Sequence, residues 1–279
     1  MLSYQHSYHA GNHADVLKHI ILGDLIAAMQ HKESPMFMLD AFAGRGIYDL
    51  SDHEAQKNRE FDTGIGALWP ISELSTPEGI QRWKHLIEHE NSDGGFTRLP
   101  GSTAMLASML RPQDRLASCD LHPQEFDALR QGFHNRKNFA FHKRDAYEAM
   151  RALLPPKEKR GLVFLDPSFE DKSEYKRIAD AVIQVYPHFR AGVYVIWYPL
   201  LPAKQEHELF HTLKDSSIRK VLRIEMQGNF PHMQMQGSGM LIVNPPWNAE
   251  ATMKASLAWI HQHLLKESGS SSYRWLITE

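Results

Sequence analysis

Seven short apolar or β-branched runs, each closing on polar or turn residues, constrain this chain more than any other feature. They lie at residues 36–42, 115–121, 139–145, 161–166, 192–198, 218–226 and 238–244, and each is of strand length. Between most of them stand segments with apolar residues at three- and four-residue spacing, such as 102–110, 123–134, 173–186, 204–215 and 249–265. Strand–helix alternation predicts an α/β fold, a seven-stranded and mostly parallel sheet with helices on both faces. The last two runs are joined by a Gly/Pro/Gln-rich loop without helical pattern, so they are expected to pair as an antiparallel hairpin at one end of the sheet. The Ser-Gly-Ser-Ser-Ser stretch at 268–272 reads as a turn. One interval breaks the rhythm: roughly seventy residues separate the first two runs, far more than one connection needs. Residues 48–98 within it hold a polar stretch and helix-like pieces without strand alternation. The expected organisation is one domain built from 1–47 and 99–279, carrying a helical insertion subdomain at 48–98.

Composition narrows the function classes. With 42% apolar and 23% charged residues, the 279-residue chain is an ordinary globular protein. A lone cysteine, Cys119, excludes an intramolecular disulfide and a cysteine zinc site and suits a reducing compartment, so a cytoplasmic location is expected. No apolar leader opens the chain and no stretch approaches eighteen uncharged apolar residues, so neither a signal peptide nor contact with a membrane is expected. Thirty-one Lys/Arg against 33 Asp/Glu argue against nucleic-acid binding by bulk charge. The charge is uneven, however. Residues 130–160 carry nine basic residues against three acids, which keeps a phosphate-bearing partner open, and Lys157, Lys159 and Arg160 head the candidates for gripping it.

Asp40-Ala-Phe-Ala-Gly-Arg-Gly46 leaves the first strand. Gly44 and Gly46 permit a tight turn and close backbone approach to a ligand. An acidic residue ending the next strand, Asp120, is suited to accept ribose hydroxyls. It lies eighty residues on rather than the usual twenty or so, an excess the insertion explains. NAD and S-adenosylmethionine both use this arrangement. The NAD pattern wants a third glycine where this chain has Asp49, and Asp40 at a strand tip can hold a positively charged amino-acid portion, so the methionine cofactor is favoured. Asp145, ending the third strand, extends the row of acidic strand ends.

Leu-Asp166-Pro167-Ser168-Phe169 ends the fourth strand and resembles the (D/N)PP(Y/F/W) motif of amino-directed methyltransferases. An exocyclic amine on an aromatic ring is a poor nucleophile because its lone pair is delocalised. A carboxylate and a backbone carbonyl accepting its two N–H groups aim that lone pair at a methyl donor, so Asp166 and Pro167 are the expected acceptors, with Phe169 stacking on the base. Ser168 stands where the motif has its second proline. A second match, Asn244-Pro245-Pro246-Trp247, follows the last strand and is expected to cap a sheet edge. In the N-terminal run, His6, His9, His13, His19 and Asp15 look like metal ligands. Gly11 and Asn12 interrupt their helical spacing, and without a cysteine or glutamate partner no metal site is expected. Instead, the run is read as lining a pocket, with a helix from about His13 presenting Lys18 and His19 to cofactor or substrate.

Together the N-terminal LSYxHSxHAGNHADVLKH, the D-x-x-AGxG loop, Pro100-Gly101-Ser102, Leu121-His122-Pro123, DPxF, Trp197-Tyr198-Pro199 and SGMxxxNPPW resemble the RlmJ-type ribosomal RNA adenine-N6 methyltransferases over essentially the whole chain. The resemblance implies a Rossmann-like class I methyltransferase fold, S-adenosylmethionine as donor, and one specific adenine of 23S ribosomal RNA, free or in an early assembly particle, as acceptor. A monomer is expected. Carried over by position, it puts cofactor contacts on His19, Ser102, Asp120, Asp145, Ala146 and Asp166, beside the Lys18, Asp40, Phe42, Gly44 and Gly46 already named. It puts Tyr4, joined here by His6, on the substrate nucleotide. Phe42 replaces the family's histidine. Two alternatives stay open: another planar amine (DNA adenine, cytosine N4 or a protein glutamine) as acceptor, and a non-catalytic RNA-binding or assembly factor, which Ser168 and Phe42 suggest.

Overall fold

The computed structural model describes residues 4–72, 76–92, 95–133, 136–230 and 235–279. Leu2 and Ser3 of the N-terminal run, the last residue of the helix expected over 123–134 and part of the loop between the last two expected strands lie outside these. The strands are β1 (Phe37–Asp40), β2 (Ile47–Asp49), β3 (Arg98–Pro100), β4 (Arg115–Cys119), β5 (Phe139–His142), β6 (Gly161–Leu165), β7 (Val193–Leu200), β8 (Val221–Gln227), β9 (Gly237–Val243) and β10 (Ser270–Ile277). The helices are α1 (His13–Gln30), α2 (His53–Asn58), α3 (Ile65–Leu68), α4 (Glu78–Glu90), α5 (Ser102–Ser108), α6 (Pro123–Phe133), α7 (Ala146–Leu153), α8 (Glu174–Val185), α9 (Glu206–Lys214) and α10 (Glu250–Ile260).

Among the described residues eight strands, not seven, form the main sheet, in the order β10-β8-β9-β7-β6-β1-β4-β5. The run β5-β4-β1-β6-β7 is parallel, while β9 lies antiparallel between β7 and β8, and β10 is antiparallel to β8. The additional strand occupies the Ser-rich stretch read as a turn. It is an edge strand with partly exposed residues throughout, so it lacks the continuous buried run that marks its neighbours. It also displaces the β8–β9 hairpin from the end of the sheet. A second departure is the small β2–β3 ribbon, whose Ile47↔Pro100 pairing closes the neck of the long interval; strands of three residues are too short to show a period.

The chain leaves β1 toward β4 and β5, then returns across it to β6 and β7. The strand order therefore reverses at β1, and the crevice for a ligand opens at the carboxyl ends of β1, β4 and β6. Helix α1 is buried on nearly every side, packed against α4, α5, α10 and the sheet. Its N-cap is Asn12, whose side chain accepts from the Ala14 and Asp15 N–H groups at 2.9 and 3.1 Å. Before it, Gly11 adopts φ 77°, and a Cβ there would lie 2.9 Å from Ile65 and Phe61, so glycine is required. The apolar side chains of the long interval, including Phe61, Ile80 and Trp83, join the same core as the sheet.

Candidate active site

A cleft of about 340 Å³ opens at that reversal point, within the range of about 300–1,000 Å³ usual for small-molecule sites. Tyr4, His6, Lys18, His19, Phe42, Gly44, Ser102, Asp120, Asp145, Ala146, Asp166 and Pro167 all line it. Three expected residues do not. Asp40 is fully buried beneath the cleft, where its Oδ2 accepts from Ser102 Oγ at 2.7 Å and Thr103 Oγ1 at 2.6 Å. Among the described residues its buried Oδ1 has no partner, and burial pushes its carboxyl up to about 6. Gly46, at φ 85°, turns the chain under Phe133, 2.6 Å from where a Cβ would stand. Phe169, expected to stack on a base, is instead turned inward at φ 53° and only 5% exposed, with its ring 4.4 Å from Tyr175 and 6.0 Å from Trp197.

The loop after β1 is stitched to its neighbours: Ala41 N–H donates to Phe164, Ala43 N–H to Cys119, and Gly44 N–H to Asp120 Oδ2 at 2.8 Å. The other oxygen of Asp120 accepts from His122 N–H at 2.7 Å. Burial outweighs these bonds and raises the Asp120 carboxyl. Asp145 caps α7 through Oδ1 and meets Arg177 through Oδ2 at 3.2 Å.

A chain of polar contacts runs along the other wall. Tyr4 OH meets His6 Nδ1 at 2.9 Å and His6 Nε2 meets Asp15 Oδ2 at 2.9 Å. A carboxylate only accepts, so His6 donates to Asp15 through Nε2. Asp15 also accepts from Gly11 N–H at 2.8 Å, and its Oδ1 pairs with Lys18 Nζ at 2.9 Å. Lys18 in turn donates to Asp166 Oδ2 at 2.7 Å, with its Nζ 4.9 Å from the Trp197 ring centre. Burial disfavours both charges, but His6 and Lys18 together hold Asp15 well below the usual carboxylate range, while Asp15 and Asp166 hold Lys18 above its ordinary value. His19 is the reverse case: burial depresses it to about 4, so it is neutral at physiological pH.

Sequence reasoning names Tyr4, His6, Lys18 and Asp166 and misses the residue that joins them, Asp15. Asp15 looks like a metal ligand, yet its three-residue spacing from Lys18 on a helix signals the pair. The other N-terminal histidines are also engaged, His9 by Glu60 at 2.9 Å and His13 by a stack on Phe230 with centroids 3.5 Å apart. Also missed are Tyr48, Glu125, Tyr147, Glu174 and Arg177 on the cleft wall.

The second motif lies elsewhere. Since β9 runs antiparallel to β7, with Val243 beside Tyr194, Asn244 emerges at the rim opposite Asp166. It ends a strand flanked on both sides and so caps no sheet edge. The basic stretch is split likewise: Lys143 and Arg144 follow β5 on the cleft side, whereas Lys157, Lys159 and Arg160 precede β6 on the far side. Arg160 is a tether there, donating to the carbonyls of Ser34 and Met29.

Comparison with known proteins agrees with this geometry. Residues 33–277 match the family model described as ribosomal RNA large subunit methyltransferase D, RlmJ. The ribosomal RNA large subunit methyltransferase J proteins of Haemophilus influenzae and Escherichia coli are 40% and 35% identical to this chain, each over the whole of both chains. The crystal structure of protein LPL1258 from Legionella pneumophila superposes with a TM-score of 0.88 at 36% identity, covering 96% of this chain and 98% of that one. The chain belongs to the RlmJ family of large-subunit ribosomal RNA methyltransferases.

Proposed function

We propose that this protein transfers a methyl group from S-adenosylmethionine to N6 of one adenine in 23S ribosomal RNA. The observation that carries the reading is Asp166-Pro167 at the end of β6, in the crevice where the strand order reverses and paired with a lysine from α1.

The cleft suits that donor. Asp120, Glu125, Asp145 and Asp166 contribute carboxylates to its wall, as a cationic ligand with ribose hydroxyls requires, whereas that of Glu174 is taken by the Tyr147 hydroxyl. His19, kept neutral by burial, adds no opposing charge. Ala43 and Gly44 leave room for close approach, and the buried Oδ1 of Asp40 remains an unfilled acceptor beneath the loop. When bound, S-adenosylmethionine supplies a methyl group on a positively charged sulfur. Asp120 and Asp145 are the residues placed to hold its ribose, and Ser102, His19 and the Ala41–Gly44 loop line the remainder.

Lys18 occupies Asp166 Oδ2 and thereby fixes the carboxylate plane, leaving Oδ1 to accept one N–H of the adenine amine. The Pro167 carbonyl accepts the other. Both bonds pull the nitrogen toward tetrahedral geometry and turn its lone pair to the methyl group, and Asp166 can accept the proton that the nitrogen must lose. Alignment of this kind supplies roughly 7–11 kcal/mol of barrier reduction. Phe169 acts from below, fixing the turn, so stacking of the extruded base falls to Tyr4, which is partly exposed at the cleft mouth. Residues 48–98 act as an insertion that braces this mouth: Glu60 accepts from Asn12 Nδ2 and pairs with His9. The enzyme acts as a monomer on 23S ribosomal RNA that is free or in an early assembly particle.

Transfer of labelled methyl to protein-free 23S ribosomal RNA, followed by digestion to nucleosides, tests the reading beside Asp166→Ala. Label in N6-methyladenosine that disappears in the variant is expected. Label in another nucleoside, or turnover that survives in the variant, overturns it.

A further inference from the structure

Ser168 removes from the Asp166–Phe169 turn the fixed φ that a second proline imposes, so something else must hold that turn. One anchor is Phe169, buried against Tyr175 and Trp197. The opposite anchor spans the cleft. From the first turn of α8, Glu174 accepts from the Tyr147 hydroxyl, and Arg177 reaches Asp145 Oδ2 at 3.2 Å while its guanidinium carbon lies 4.1 Å from the Tyr147 ring centre. Phe42, on the cofactor loop, meets the same ring edge-on at 6.0 Å. Burial first, and Glu174 second, raise the Tyr147 phenol, which keeps it a donor.

Tyr147 sits at the edge of the core, its ring buried and its hydroxyl turned to α8. Asp145, Tyr147 and Arg177 line the cleft on one face and, on the other, an open groove shared with Glu148, Arg151 and Lys176. The wall there is thin, and the Tyr147–Glu174 and Arg177–Asp145 contacts tie α8 to α7 across it. Those contacts end six to nine residues beyond Ser168, on the segment that runs directly out of the catalytic turn.

We propose that Tyr147, Glu174 and Arg177 are positioning residues, a latch that holds the Asp166–Phe169 turn against the cofactor loop in place of the missing proline. The proposal rests on Asp166 being the residue that orients the amine. A proline restricts its own backbone by a factor of roughly two to five in population, so latch and proline act on the same quantity and can substitute for one another. Among the described residues the Ser168 N–H makes no backbone hydrogen bond, so a proline there removes none.

The test is a double-mutant comparison. Tyr147→Phe, which deletes only the hydroxyl, is made in the native and the Ser168→Pro backgrounds, with Glu174→Gln as a second way to open the latch. For each, kcat, KM for RNA and calorimetric affinity for S-adenosylmethionine are measured. In the native background kcat falls about tenfold while cofactor affinity and KM stay within twofold; in the Ser168→Pro background the loss shrinks to less than threefold. Equal losses in both backgrounds, or a loss confined to cofactor affinity, overturn the latch. Asp166→Ala run alongside separates the two readings: turnover that survives there refutes the role of Asp166 and the latch with it, whereas turnover lost there together with equal Tyr147→Phe losses in both backgrounds refutes the latch alone.

Discussion

Asp166-Pro-Ser-Phe and Asn244-Pro-Pro-Trp are two spellings of nearly one motif on one sheet, and their surroundings have nothing in common. The first ends a parallel strand at the reversal crevice, its carboxylate held by a buried lysine that a second carboxylate balances. The second ends an antiparallel strand on the far rim. There Asn244, at φ 54°, donates to the carbonyls of Arg190 and Gly192 at 2.7 and 3.0 Å, and Trp247 is 89% exposed. Four residues do not make a catalytic site. The direction of the strand that carries them decides which rim they occupy, and the cleft that Asp120, Asp145 and Asp166 line together opens on the first rim.

The sharpest way to break this contrast is at Asp166. An orienting acceptor that acts only in the transition state is worth about 10²–10³ in turnover. Asp166→Ala is therefore expected to lower kcat by at least about 10² while S-adenosylmethionine still binds. If calorimetry shows the affinity falling in proportion, the residue is a binding contact and the contrast between rims loses its chemical meaning.

How much of this could be read beforehand follows from where the information sits. The buried parallel strands β6 and β7 stand out as continuous apolar runs because both faces are covered. Strand β10 does not, because an exposed edge strand carries no such pattern. Asp120, Asp145 and Asp166 are legible because strand ends and turn chemistry are local. The Lys18–Asp166 pair is not, since 148 residues separate its members. Phe169 misled for a related reason: a residue's type suggests what it can stack on, but its backbone angle decides which way it points.

The cleft rim also concentrates buried ionisable groups, and His19 offers a second test. Folded His19 takes a proton only near pH 4, whereas in the unfolded chain it does so near 6.5. Between those values the unfolded state binds more protons, so the stability His19 allows is complete above pH 6.5 and declines as pH falls toward 4. The drop is up to about 3 kcal/mol. Urea unfolding of wild type and His19→Gln at matched pH isolates it, because other groups cancel in the difference. A difference constant from pH 7 to 4.5 would mean that His19 is not held neutral by its burial.

Charge reversal compares the rims for RNA. Lys143 and Arg144 flank the cleft, and reversing both is expected to weaken RNA binding about tenfold and to flatten its salt dependence by nearly one unit of slope for each phosphate no longer neutralised. The same change at Lys157 and Lys159, on the far rim, should leave both within twofold. Equal losses at the two rims would show that the RNA wraps the sheet edge, and the far rim would then become part of the substrate site.

The smallest effect is expected at Asn244, and it asks whether the second motif is structural. Two things are combined there: a left-handed backbone, which alanine adopts poorly and glycine freely, and two side-chain hydrogen bonds to the turn before β7. Asn244→Gly removes only the bonds and should lower stability by about 1–2 kcal/mol. Asn244→Ala adds the backbone strain, roughly 1 kcal/mol more. In both, kcat measured well below the melting temperature should match the wild type. A kcat that falls for Asn244→Gly more than stability explains would mean that the far rim communicates with the cleft through β7, whose other end carries Trp197 beneath Lys18. The two motifs would then be coupled parts of one machine rather than one site and one staple.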